Sequence, residues 1–327
     1  MRPSVADVAK YAGVSTATVS RVLNDSPSIR PHTREKVQQA IEALGYKLPG
    51  TPGSKVVGTK PVMVLVPDIN NPFYSGIVTG IEVAAREKNY SVMLTNTQGE
   101  SWVELRYLDM LEQNQVCGVI SLDPMNEQMK LPGKISKLPW INCSEYVPDS
   151  DVAYVSIDHK QAAQDAVLYL VSQGHTKIAM VNSDERYIYA RQRREGYEAA
   201  MESAGLTIEP GYLQAIGGID YPLGELAARR LLTLQNPPTA IFAVSDTLAI
   251  GVMKAVFRIG KKIPDDVAVI GFDDIPIADM FEPSLTTISQ PTFEMGQTAM
   301  KMLIQRIEGL DVTSKQINHS LIIRDSA

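Results

Sequence analysis

The sequence predicts a small all-α head followed by an α/β core of two doubly wound parallel-sheet subdomains. Three observations lead there. Apolar residues recur with helical spacing in three short segments before residue 46. After residue 61, short continuous apolar runs alternate with helical segments. Between the two, residues 47–61 (KLPGTPGSKVVGTKP) hold three Pro and three Gly, the composition of a linker. The length of 327 residues suits two or three domains.

In the head, Val5, Val8, Ala9 and Ala12 fall at i, i+3, i+4 and i+7. Ser4 is placed to cap that helix, with Asp7 as capping-box partner, and Gly13 to end it. Ser15 should cap a second helix with an inner stripe of Val19, Val22 and Leu23. Pro31 suits the first turn of a third, whose stripe is Val37, Ala40, Ile41 and Leu44 and which Gly45 should stop. The head is therefore expected over 1–46, the flexible linker over 47–61 and the core over 62–327.

The core's apolar runs are 62–67, 90–95, 116–122, 140–144, 154–158, 177–182, 212–217, 240–245 and 267–272. Runs without alternation indicate strands buried on both faces. Helices are expected between many of them, for example over 75–88, 159–173 and 190–204. The count implies two sheets. One subdomain should take about 62–160 plus 291–320, the other about 161–290 plus 321–327.

The net charge of −6 conceals an asymmetry. Residues 1–60 carry nine Lys or Arg against four Asp or Glu, an excess of +5, and the rest of the chain carries −11. A basic head on an acidic body is expected when one end meets phosphate. No apolar stretch is long enough for a membrane span, and MRPSVADVAK reads as a helix start, not a signal peptide. Cys117 and Cys143 lie in apolar runs and read as buried free thiols in a reducing cytoplasm.

The second helix carries the functional signal. Opposite its buried stripe lie Ala17, Ser20, Arg21 and Asn24, again at helical spacing, with Thr16 and Thr18 beside them. Short side chains let a helix approach the floor of the major groove. Methyl groups there can touch thymine, and Arg can chelate guanine. The hydroxyls of Ser15 and Thr16, with the free amides of the helix start, can hold a phosphate. A three-helix bundle with a solvated face would show the same periodicity; the basic excess and the linker favour a helix-turn-helix.

The run VADVAKYAGVSTATVSRVLN, then TREKVQQAIEALGY, resembles the head of the lac/galactose repressor family. The resemblance continues through PDINNPFY, IDHKQAAQDAVLYLVSQGHTKIAMV, RREGYEAAMESAGL, PPTAIFAVSDTLAIGVMKA, IPDDVAVIGFDDI and PSLTTISQP, nearly the whole chain. It implies a periplasmic-binding-protein-like core that senses a small molecule. It also implies a homodimer whose two heads read a pseudo-palindromic, double-stranded operator. On the same resemblance Thr16, Ala17 and Arg21 sit where the family reads bases. One departure is expected to matter. Where family members carry a hinge helix that wedges a leucine into the minor groove, this chain has Lys47-Leu48-Pro49-Gly50-Thr51-Pro52-Gly53, and the leucine position falls near Lys55 or Val56. Gly and Pro oppose a helix by ~1 and ~3 kcal/mol per residue, so loosely tethered heads are expected. No leucine-heptad tail follows LIIRDSA, which predicts a dimer and not a tetramer.

Ligands of doubly wound sheets bind beyond the carboxyl ends of the strands. Polar and aromatic residues cluster there: Asn70, Phe73 and Tyr74; Ser144 and Glu145; Tyr187, Tyr189 and Arg193; Ser245 and Asp246; Asp273 and Asp274. Singly, Asp246 or Asp273 could cap a helix, Arg193 could belong to a solvated face, and Phe73 and Tyr74 could be core. The resemblance implies that Arg193 and Asp273 grip the effector and that Phe73 and Tyr74 stack on it. Ile219 stands where the family often has an aromatic, with Tyr221 two residues on as a substitute. Ser245 and Ser144 stand where sugar-binding members often have Asn and Asp. These changes favour a nucleoside or ribose-bearing effector over a plain sugar.

Two rivals are weaker. The four histidines (32, 159, 175, 319) show no metal-ligand spacing, and no phosphate loop or nucleophile elbow occurs, so neither an enzyme nor a cofactor is expected. A secreted solute-binding protein would fit the core alone, but not the basic head.

Overall fold

The computed structural model describes residues 3–23, 29–44, 46, 60–98, 116–123 and 138–327. Asn24 and residues 47–59 of the expected linker lie outside the described residues. The chain divides into two compact units, Met1–Thr59 and Lys60–Ala327.

The head contains α1 (Val5–Ala12), α2 (Thr16–Leu23) and α3 (Pro31–Ala43). The Ser4 hydroxyl accepts from Asp7 N–H at 3.3 Å, and Asp7 Oδ2 accepts from Ser4 N–H at 2.7 Å, a reciprocal capping box. Gly13 takes φ 66°, the left-handed cap that ends α1. The core of the head is Val8, Ala9, Val19, Val22, Val37, Ala40 and Tyr46, with Val5, Ala12, Leu23, Ile41 and Leu44 packed around it.

The larger unit holds two six-stranded sheets. The first is built from β1 (Lys60–Val66), β2 (Tyr90–Asn96), β3 (Gly118–Ser121), β4 (Trp140–Cys143), β5 (Tyr154–Ser156) and β11 (Lys315–Gln316), in the order β11-β5-β4-β3-β1-β2. The second is built from β6 (Ile178–Asn182), β7 (Leu213–Ala215), β8 (Ala240–Ala243), β9 (Ala268–Asp273), β10 (Thr286–Ser289) and β12 (Ser320–Ile322), in the order β12-β10-β9-β8-β6-β7. All pairings are parallel except β10 with β12. Each of the nine apolar runs is a strand. The expectation that all are buried on both faces fails at two edge strands: β2 exposes Met93 and Leu94, and β7 has no fully buried residue. Cys143 is buried as expected, whereas Cys117 is only partly buried; both are free thiols.

The helices are α4 (Phe73–Glu87), α5 (His159–Ser172), α6 (Ile188–Ser203), α7 (Tyr221–Leu232), α8 (Asp246–Arg258) and α9 (Thr292–Ile307). They pair α4 with α9, α5 with α6, and α7 with α8. The pairs cross on glycine. A Cβ on Gly80 would stand 2.1 Å from the Phe293 carbonyl oxygen, and one on Gly196 would stand 2.2 Å from that of Lys160. The chain passes between lobes at β5 to α5, β10 to α9, and β11 to β12, because α9 packs on the first sheet and α5 on the second. In both sheets the strand order reverses beside the first strand of the lobe, between β1 and β3 and between β6 and β8. That switch point opens a crevice at the strands' carboxyl ends.

Candidate functional site

On the head, Ser15, Thr16, Ala17, Ser20 and Arg21 are exposed and Thr18 is half-buried. Ser15 Oγ accepts from Thr18 N–H at 3.1 Å and lies 2.9 Å from Thr18 Oγ1. These two hydroxyls therefore fix the start of α2 while Thr16, Ala17 and Arg21 stay free to reach outward. The short α2 buries only Val19 and Val22, so its outer face is held by two anchors and the cap.

In the core, a cavity of about 170 Å³ lies at the carboxyl ends of the strands. Its walls come from both lobes: Pro67, Asp68, Asn71, Phe73 and Tyr74 beyond β1, Leu122 and Asp123 beyond β3, and Ser144 and Glu145 beyond β4. The second lobe adds Ser183 and Asp184 beyond β6, Arg186, Tyr187, Tyr189 and Arg193 around α6, Gly217–Ile219 beyond β7, and Asp273 of β9. Nine of the eleven residues expected at the effector site line this cavity: Phe73, Tyr74, Ser144, Glu145, Tyr187, Tyr189, Arg193, Ile219 and Asp273.

Two do not. Ser245 is fully buried and caps α8, accepting from Leu248 N–H at 3.2 Å. Tyr221 starts α7 beside Gly251 and is 39% exposed, away from the cavity wall. The Ser245 expectation took sequence position after a strand as sufficient, and helix capping won there; the Tyr221 expectation came from the family's aromatic position and is not met. Asp246 is also structural. Its carboxylate accepts from Thr287 Oγ1 at 2.6 Å and Ile275 N–H at 2.8 Å. Asp123, Asp68, Asp184 and Arg186 were not singled out. The rule of position after a strand would have found Asp68 and Asp123, since each follows an apolar run directly, whereas Asn70, which it did name, does not line the cavity.

Arg193 is the best-anchored group. It is 4% exposed. Its guanidinium lies 3.5 Å from the centre of the Phe272 ring and 4.9 Å from that of Tyr189. It donates to the Val244 carbonyl, and one nitrogen is 3.8 Å from Asp273 Oδ1. The close α5–α6 crossing at Gly196, one turn further on, sets its depth. Burial pushes the Asp273 carboxyl up to about 7, against the pull of Arg193 and a 2.7 Å hydrogen bond donated by Gln290 Nε2. Asp273 and Ser144 hold left-handed backbone, φ 120° and 74°, conformations that side chains other than glycine's adopt at a cost.

The first lobe also reaches across. Tyr187 begins α6 without a side-chain cap of its own. Glu145 supplies one, accepting from Ile188 N–H at 2.7 Å and Tyr189 N–H at 3.4 Å. Gln192 Nε2 donates to Tyr146 Oη at 2.9 Å. Burial raises the Glu145 carboxyl to about 8 and that of Asp123 to about 6, and Asp123 adds to the rise at Glu145. Among the described residues no group of acids, histidines and cysteines is arranged to hold a metal, and no helix is long and apolar enough to cross a membrane.

A head with an exposed reading helix, on the same chain as a two-lobed core with an internal cleft, defines a ligand-responsive transcription regulator. The model of the bacterial regulatory proteins of the lacI family matches residues 4–48, and that of the periplasmic binding protein-like domain matches residues 167–327. The HTH-type transcriptional repressor CytR of Escherichia coli is 36% identical, across 98% of this chain and 95% of its own length. The ribose operon repressor of the same organism is also 36% identical, across 92% of each chain. The lac repressor dimer bound to operator and an anti-inducer superposes with a TM-score of 0.77 at 25% identity, covering 100% of this chain and 99% of that one. The chain belongs to the lacI family. It is a DNA-binding transcriptional regulator controlled by a small effector, not an enzyme and not a plain solute-binding protein.

Proposed function

We propose that Thr16, Ala17 and Arg21 read base edges, that Ser15, Thr18 and Ser20 position the helix on phosphate, and that the cleft binds an unphosphorylated nucleoside. Asn24 belongs to the same proposal on sequence grounds. The observation that carries the effector reading is the chemistry of the cavity wall. Arg193 offers a fork of donors and Asp273 an acceptor, as a ribose or base edge needs. Phe73, Tyr74, Tyr187 and Tyr189 supply ring faces. Even with Glu145 held protonated by burial, four carboxyls (Asp68, Asp123, Asp184, Asp273) face two arginines, which disfavours a phosphate. A sugar remains the second reading, because the Arg–Asp pair serves its hydroxyls equally.

Calorimetry of the full chain with cytidine, adenosine, ribose and cytidine monophosphate tests this. A nucleoside should bind and the monophosphate should not. Arg193→Ala should lower nucleoside affinity at least tenfold while the unliganded protein still binds operator DNA. Tighter binding of the monophosphate, or unchanged affinity in Arg193→Ala, would overturn the assignment.

The effector acts by linkage. It can change operator affinity only through its different affinities for the two arrangements of the core.

A further inference from the structure

His159 is the first residue of α5, at the point where the chain leaves the first lobe for the second. It has no exposed surface. Its Nδ1 faces Arg193, 3.3 Å from Nη2 and 3.4 Å from Nε. A guanidinium has only donors, so Nδ1 must be the bare, accepting nitrogen and Nε2 must carry the proton. Nε2 faces Ser156 Oγ at 3.3 Å, and a hydrogen bond to the Ser144 carbonyl favours the protonated ring, against burial. Ser156 Oγ spends its own proton on that same carbonyl at 2.8 Å, which leaves its lone pairs for Nε2–H. Every donor and acceptor along this line then has one consistent role. Burial, and the neighbouring Arg193 charge, hold the imidazole well below its ordinary range, so it stays neutral as the arrangement requires. Ser144 lines the cavity from the first lobe and Arg193 lines it from the second.

We propose that His159 is a positioning residue that fixes Arg193 through Nδ1 and ties it, through Nε2–H, to Ser156 and Ser144 of the opposite lobe. A ligand that pulls on Arg193 is thereby felt at the first crossover between the lobes. His159 itself does not face the cavity. In its affinity and operator arms this inference rests on the nucleoside reading above; the tautomer does not.

The two ring nitrogens can be separated by substitution. Asn places its amide oxygen near the site of Nδ1, and Gln places its amide nitrogen near that of Nε2. His159→Asn should keep cytidine affinity within about threefold but lose most of the change in operator affinity that cytidine causes. His159→Gln and His159→Ala should lose about tenfold in cytidine affinity. Unchanged affinity and unchanged operator response in all three would overturn the proposal. Long-range proton–nitrogen spectra of the four histidines in the full-length wild-type protein, assigned with His159→Asn or by selective labelling, give a readout that needs neither ligand nor stable variant. A bare Nδ1 and protonated Nε2 at His159 are expected, and a protonated Nδ1 would sink the idea. If no nucleoside binds the wild type, the effector reading fails and the tautomer alone decides the role of His159.

Discussion

Glu145 is the residue at which burial, helix electrostatics and cleft geometry meet. Its carboxyl sits on two backbone N–H groups at the start of α6, where an anion is favoured. Yet it is 6% exposed and shares the cavity with Asp123. Desolvation wins, and the group is raised to about 8 from an ordinary 4.5. The sign for stability follows. The folded chain keeps a proton that the unfolded chain releases near 4.5, so the group's contribution is full below that pH and is lost as pH rises toward 8. Glu145→Gln keeps the shape and a neutral acceptor without the titration. Its thermal midpoint, relative to wild type, should therefore climb between pH 5 and 8, and parallel curves from the two proteins would refute this.

At the scale of elements, α1 and the α4–α9 pair show two different devices. The eight residues of α1 cannot stand on propensity alone; the Ser4–Asp7 box satisfies amides that would otherwise be orphaned. Ser4→Ala should cost the helix about 1 kcal/mol, read as roughly fivefold faster amide exchange over residues 5–12. The crossing of α4 on α9 is instead a matter of space. Gly80 faces the backbone of Phe293 and Gln297, and Gly296 faces that of Ile77. Gly80→Ala places a methyl where backbone stands, and should destabilise the first lobe by ~1–3 kcal/mol in a thermal melt of the full chain. Unchanged melting would mean that the two helices separate freely.

For the whole molecule the decisive quantity is how a small ligand in the core changes the grip of a separate head. The charge asymmetry confines phosphate attraction to the head, so operator affinity should fall steeply with salt. The Gly- and Pro-rich residues 47–59 bear on spacing. If they supply no hinge helix, changing the gap between operator half-sites by one or two base pairs should alter affinity only severalfold. A loss of orders of magnitude in a binding assay with spaced operators would remove the loose tether.

A head ahead of an α/β core, the three helices of that head and nine of the twelve strands described were legible in the sequence alone. Apolar periodicity and composition are local properties, and each element writes them into its own residues. The strands it did not mark are β10, β11 and β12: β10 has one aliphatic residue among Thr and Ser, and the other two are three residues or fewer. Position after a strand put eight residues on the cavity wall, and the family resemblance added Ile219, but position could not tell Ser245, which caps α8, from Ser144, which lines the cleft. That distinction depends on where a side chain points after the helices have packed. Only the tertiary structure joined Glu145 to the start of α6 across 43 residues, and Arg193 to His159 across 34. Those pairs lie on different elements, and in low-dielectric surroundings their contact sets both proton state and orientation. No spacing in the chain encodes it.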